Sequence, residues 1–154
     1  MLFKDASAIL AMNNAQYQSI LLVRSVQKGC PLAPSLFILV VEAFSYLLAF
    51  QASQGMIKGI ALPHSYKSLL NGHFADDSFL TMTEDEQSIN TTFKCLNTFC
   101  LASRSSIQWN KTSCYRQSFK DIPHWLINFP WKWIQPGETF KFLGIPFAFE
   151  ASPA

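Results

Sequence analysis

Apolar and polar positions along this chain predict two helices with short strands around them. From Ser35 to about Gln51 the polar residues Ser35, Glu42 and Ser45 form one narrow stripe in an otherwise apolar run. That pattern predicts a helix buried over most of its circumference. Pro34 suits its first turn, where no N–H is needed, and Gln54-Gly55 ends it. A second helix is expected to run to about Ser103, with Ile89, Phe93, Leu96 and Cys100 at helical spacing. Thr83-Glu-Asp-Glu86 reads as its capping box, Thr83 as N-cap and Glu86 reaching back. Between the helices, Met56–Leu62 reads as a strand. Asn71–Met82 reads as a β-hairpin, its apolar arms (Phe74 and Ala75; Phe79, Leu80 and Met82) flanking Asp76 and Asp77 at the tip.

The flanks are read in the same way. Lys4–Met12 reads as the end of a helix, Asn13-Asn14 as a turn and Tyr17–Val23 as a strand. After the second helix, Ile107–Trp109 reads as a short strand ahead of Lys111. The tail from Ile122 to Phe149 is aromatic and broken by prolines, and its Trp125, Phe129, Trp131, Trp133 and Phe140 are assigned to packing. Pro136-Gly137 turns the chain into Thr139–Phe142, and Leu143-Gly144 bends it into Ile145–Phe149, a second hairpin. Helix, strand, hairpin, helix, hairpin is an α+β order.

Composition narrows the class. The 154 residues suffice for one domain with a real core. Only 14% are charged, against about 25% in ordinary soluble domains, so the chain reads as a piece of something larger or as a protein that buries a face against a partner. The net charge of +2 is too small to establish nucleic-acid binding, although only Asp5 and Glu42 are acidic before Asp76. Cys30, Cys95, Cys100 and Cys114 show no C-x-x-C spacing, and His64, His73 and His124 are scattered. These positions argue against zinc and for a reduced, intracellular setting, nucleus or cytoplasm. No secretory signal is read at the N-terminus. The apolar run Leu36–Phe50 is shorter than the roughly 20 residues a bilayer needs and carries Glu42 and Ser45, so no membrane partner is expected.

Taken alone, Asp76-Asp77 reads as turn chemistry. Its surroundings change that reading. Arg24-Ser-Val-Gln-Lys-Gly-Cys-Pro-Leu-Ala-Pro34, then Phe74-Ala-Asp-Asp77, then Lys111, then Phe142-Leu-Gly-Ile-Pro146 resemble, in order and spacing, the motifs of reverse transcriptases of non-LTR (LINE-type) retrotransposons, especially plant ones. The resemblance covers roughly Ala6 to Phe147. It implies an α+β partial polymerase palm: a buried helix after the Gly-Cys-Pro-Leu loop, the Asp-Asp hairpin, the second helix and the Leu-Gly hairpin.

The resemblance also implies roles. Asp76 and Asp77 would be catalytic metal ligands for Mg2+ or Mn2+, and Lys111 a basic residue that neutralises or protonates the departing pyrophosphate. Arg24, Lys28, Gly29 and Pro31 would lie under the nascent base pair, and Phe142, Leu143 and Gly144 would resemble the grip on the primer end. Partners would be an RNA template, a DNA primer and deoxynucleotides. Two hard cations need carboxylates from several strands, and the hairpin supplies one side. The family's further Asp, on an upstream strand, and its fingers are expected to lie outside this chain, so residues 1–154 read as a single partial palm domain, inactive alone, for which the missing N-terminal half is a candidate partner. Lys28 stands where the family usually has Gln, and Arg104-Ser105 and Gln108 replace a usual Gly-Leu and Asn; these look like drift. A non-catalytic relic that at most binds RNA or a protein stays open, as does, more weakly, a membrane-peripheral interaction protein.

Overall fold

The computed structural model describes residues 7–21, 30–64, 68–116, 121–135 and 137–148, and the chain falls into two compact units, Met1–Ala43 and Phe44–Ala154. In the first, residues 7–21 form nested antiparallel pairs. β1 (Ser7–Ala8) pairs with β4 (Ile20–Leu21), and β2 (Ala11–Met12) pairs with β3 (Ala15–Gln16). Asn13 and Asn14 both take positive φ, 50° and 61°, the requirement of a two-residue type I′ turn. The turn is therefore where the sequence puts it, but its near arm is strand where the sequence suggested helix. A weak helical stripe yields once a strong turn sets two arms side by side. The strand expected over Tyr17–Val23 is present at Ile20–Leu21, and Leu22 and Val23 lie outside the described residues.

Helix α1 (Ala33–Ser53) carries Pro34 in its first turn. It ends on Gly55 at φ 73°, where the Gly55 amide donates to Ala52 O (2.9 Å) and the Met56 amide to Gln51 O (3.0 Å), a Schellman cap. Its burial differs from expectation. Only Phe44 and Leu48 are buried, while Ile38, Leu39, Tyr46 and Phe50 are 59–69% exposed. Half-buried Ser45, a member of the polar stripe, is hydrogen-bonded to Asn71 instead of facing open solvent. Hydropathy records what a side chain prefers, not whether the described residues supply a covering surface. At 21 residues α1 is also long and apolar enough to cross a membrane, so the argument from length does not hold.

The core of the second unit is Phe44, Leu48, Ile57 and Cys95, with Leu70, Leu80, Met82 and Phe99 among the side chains packed on it. Met56–Leu62 is strand only at β5 (Ile60–Ala61), which pairs with β6 (Ser68–Leu69). The reason is visible at Lys58. Its amide donates to Ser88 Oγ (3.0 Å) and its carbonyl accepts from the Thr83 amide (2.8 Å), so neither group is left for a strand ladder. β7 (Asn71–Phe74) and β8 (Asp77–Leu80) then form the expected hairpin.

Helix α2 (Glu86–Ser103) is capped by Asp85, not by Thr83. Asp85 accepts from the Ser88 amide and hydroxyl (both 2.8 Å) and from Thr83 Oγ1 (2.6 Å). The Asp, one turn ahead of a Ser, outcompetes the sequence-predicted box because three donors converge on one carboxylate. Partial burial pushes Asp85 up, but those hydrogen bonds and the Lys58 charge outweigh it and hold the carboxyl below the ordinary aspartate value. Asp85→Ala should cost about 1–2 kcal/mol. Because the folded pKa is depressed, the contribution is complete above the usual aspartate pKa of about 4 and is lost as pH falls through the lower folded value. Urea titrations of both chains across that range check this: the stability gap should shrink toward acid.

Beyond α2 the expected strand at Ile107–Trp109 is absent; Trp109–Lys111 is a 3-10 turn, with Trp109 stacked on Phe93 (centroids 5.3 Å). The strand comes later. β9 (Ser113–Tyr115) runs parallel to β10 (Lys132–Ile134). Rings of Phe93, Phe129, Trp131 and Trp133 pack in a chain of contacts 4.7–5.6 Å apart, and Leu126, whose carbonyl accepts from the Phe129 amide (3.3 Å), is fully buried. β11 (Thr139–Phe142) and β12 (Ile145–Ala148) form the second hairpin around Leu143 (φ 52°) and Gly144 (φ 78°). The architecture is α+β.

Candidate active site

The register of the first hairpin decides where its carboxylates sit. Asn71 faces Leu80, Gly72 faces Phe79, His73 faces Ser78 and Phe74 faces Asp77. The two loop residues are therefore Ala75 and Asp76, with Ala75 in the left-handed region at φ 51°. Asp76 is a turn residue and Asp77 opens β8, one step off the tip that the sequence assigned to the pair. Both are exposed. Neither carboxylate makes a hydrogen bond or ion pair among the described residues, which leaves both accessible to a cation.

Directly opposed residues of an antiparallel pair share a face, which gives this hairpin two different sides. One side carries Gly72, Phe74, Asp77 and Phe79. Here the Phe79 ring lies over Gly72, where a Cβ would come within 2.3 Å of it, and packs edge-on against Phe142 of the second hairpin (centroids 5.4 Å). The other side carries Asn71, His73 and Ser78. His73 Nδ1 lies 2.7 Å from Ser78 Oγ, its Nε2 lies 2.8 Å from Asn71 Nδ2, and Asn71 Nδ2 donates to Ser45 Oγ on α1 (2.7 Å). Phe44 meets the imidazole edge-on at 6.0 Å. The carboxylate turn is thus held between a helix on one side and the Leu-Gly hairpin on the other.

The remaining predicted residues divide accordingly. Phe142, Leu143 and Gly144 form the arm and turn of the second hairpin, brought to the first through Phe79–Phe142. Lys111 is exposed at the end of the 3-10 turn anchored on α2, and no hydrogen bond or ion pair joins it to Asp76 or Asp77 among the described residues. Pro31 is an exposed turn residue ahead of α1, where the Ala33 amide donates to Cys30 O (3.0 Å). Arg24, Lys28 and Gly29 lie outside the described residues. Sequence reasoning missed the Ser45–Asn71–His73–Ser78 set; the alternation that places Asn71 and His73 on one strand face was the signal.

Two adjacent carboxylates fit one edge of a divalent-cation site. Among the described residues no group of three or more His, Cys, Asp or Glu side chains comes together to complete it. Cysteine chemistry is a poor alternative. Burial pushes the Cys114 thiol up to about 11, with Arg116 pulling it down and Glu84 pushing it up, and burial raises Cys95 and Cys100 as well; protonated thiols are weak nucleophiles. Arg116 is itself clamped bidentately by Glu84, with Nε donating to Oε2 at 2.9 Å, which ties the entrance of α2 to the end of β9.

A family model described as reverse transcriptase (RNA-dependent DNA polymerase) matches residues 2–147. The transposon TX1 uncharacterized 149 kDa protein of Xenopus laevis is 25% identical over 112 residues, 73% of this chain and 8% of that protein. The chain thus spans less than a tenth of the length of that curated relative. With an acidic hairpin packed on a Leu-Gly hairpin, and a family match across almost all of its length, the chain belongs to the reverse transcriptase (RNA-dependent DNA polymerase) family.

Proposed function

We propose that the chain is part of the palm of an RNA-directed DNA polymerase from a non-LTR, plant-like retrotransposon, acting on an RNA template, a DNA primer and deoxynucleotides in the nucleus or cytoplasm. The observation that carries this reading is the hairpin with Asp76 and Asp77 open to solvent at its turn, packed through Phe79 on Phe142. Asp76 and Asp77 would hold one side of a Mg2+ or Mn2+ ion, with water and carboxylates beyond the described residues completing the set. A divalent cation there would supply charge neutralisation at the phosphates and lower the pKa of an attacking hydroxyl. Phe142, Leu143 and Gly144 would rest against the primer end, beside the face that bears Asp77. Lys111 would meet the departing pyrophosphate. Arg24, Lys28, Gly29 and Pro31 would lie beneath the new base pair, where a glycine lets the backbone come close.

A second reading, a non-catalytic relic that at most binds RNA or a protein partner, draws support from the ligand set being incomplete among the described residues. Manganese separates the acidic hairpin from a mere turn. Two carboxylates leave most coordination positions to water, so affinity should be on the order of millimolar. Broadening of backbone NMR signals should centre on residues 75–78, vanish in Asp76→Asn and weaken in Asp77→Asn. Broadening centred on residues 84–86 and indifferent to both substitutions would remove the catalytic assignment. Primer extension by this chain alone should not exceed that of the doubly substituted control; extension that the control abolishes would mean a complete site.

A further inference from the structure

With the Asn71 amide oriented so that Nδ2 faces both Ser45 and His73, the polar set behind the hairpin has one proton arrangement. Asn71 Nδ2 has two hydrogens; one goes to Ser45 Oγ at 2.7 Å and the other points to His73 Nε2 at 2.8 Å, with Ser45 Oγ itself 3.4 Å from that ring nitrogen. A ring nitrogen that receives an N–H carries no proton of its own. The proton of the neutral ring is then on Nδ1, which donates to Ser78 Oγ at 2.7 Å. His73 and Ser78 form the rung next to Phe74 and Asp77, the last before the loop. The ring is also fixed from behind by Phe44, a buried residue of the core.

We propose that His73, as its Nδ1–H tautomer, is a positioning residue for the catalytic turn: it locks the rung beside Asp77 and ties that rung, through Asn71 and Ser45, to α1. This rests on the proposed polymerase reading of Asp76 and Asp77. Its physical content is that Ala75 sits in the left-handed region, a conformation that L-residues disfavour by about 1–2 kcal/mol, and that the His73–Ser78 bond on the neighbouring rung helps hold the two carboxylates in one geometry. Side chains that orient ligands in this way typically change metal affinity by about tenfold or more when removed.

The test uses the full chain with manganese as the probe. Long-range proton–nitrogen NMR of the metal-free protein should place the ring proton on Nδ1. His73→Ala should weaken manganese broadening at residues 75–78 by roughly tenfold. His73→Asn, whose amide can still donate to Ser78 from near the Nδ1 position, should recover most of it. Ser78→Ala should weaken binding similarly, and the His73→Ala, Ser78→Ala double variant should add little, as for residues acting through one bond. A proton on Nε2, or wild-type manganese affinity in His73→Ala, overturns the proposal while leaving the acidic site standing. Absence of broadening at residues 75–78 in the wild type overturns the polymerase reading and this role with it, and the tautomer measurement tells the two failures apart. If His73→Ala does not fold, the ring tautomer and the Asn and Ser78 variants decide.

Discussion

Leu48→Ala should lower the unfolding free energy by about 3–5 kcal/mol, the range for a Leu deletion that leaves a cavity. Leu48 is 2% exposed and lies with Phe44, Ile57 and Cys95 in the core where α1, the segment after it and α2 meet. The site cannot collapse cheaply, since its walls come from separate elements. A domain of this size has roughly 5–15 kcal/mol to lose, so the variant should show a much lower denaturation midpoint or no cooperative transition. The matched control is Leu39→Ala on the same helix. Leu39 is 66% exposed, and its substitution should fall within about 0.5 kcal/mol of wild type. Urea denaturation of the two variants side by side measures the difference; equal effects would mean that the exposed stretch of α1 is covered in solution.

That pair of leucines also marks where the sequence stops being informative. The existence and extent of α1 were legible, because a long apolar run bounded by Pro34 and Gly55 has few alternatives. Its burial was not, since Leu39 and Leu48 look alike in sequence and differ only in what packs on them. Both hairpins around Asp76-Asp77 and Leu143-Gly144 were legible from turn chemistry, as was the α2 spacing. Hydrogen-bond competition was not. Thr83 and Asp85 are both acceptable N-caps by residue type, and the convergence of Ser88 and Thr83 on Asp85 selects between them only in three dimensions. The parallel pairing of β9 with β10 joins residues 113–115 to 132–134 and has no local signature at all.

In the site, the division follows the same line. The place of Asp76 and Asp77 at a hairpin turn was legible because apolar arms flank them. The one-step shift that puts Asp76 in the loop and Asp77 in the strand depends on register, which hydrophobic arms of similar character do not specify to the residue. His73 was passed over because a single histidine among apolar residues carries little information; its partners lie 2, 5 and 28 positions away. The proposed function therefore rests on residues that sequence could find, and the hydrogen bonds behind the turn involve residues it could not.

Gly59→Ala should be nearly as damaging as the core deletion, at about 3 kcal/mol, the upper part of the range for forced overpacking. A Cβ on Gly59 would stand 2.3 Å from the Leu69 carbonyl oxygen and 2.9 Å from Leu70 Cδ2. The oxygen is backbone and is already engaged, accepting from Thr81 Oγ1 at 2.7 Å, while the neighbouring Leu70 carbonyl accepts from the Thr81 amide at 2.8 Å. Moving it aside breaks the connection between β6 and the residue that follows β8, so the strain should pass to the base of the acidic hairpin. Gly55→Ala provides the contrast. Nothing lies within 4 Å of a Cβ there, and the cost should be about 1 kcal/mol from the left-handed φ of 73° alone. Hydrogen exchange reports the distinction directly: Gly59→Ala should speed exchange of the Thr81 amide and of the β7–β8 amides, whereas Gly55→Ala should affect only the end of α1. Wild-type protection of the hairpin in Gly59→Ala would mean that the β5–β6 pair yields without transmitting the strain.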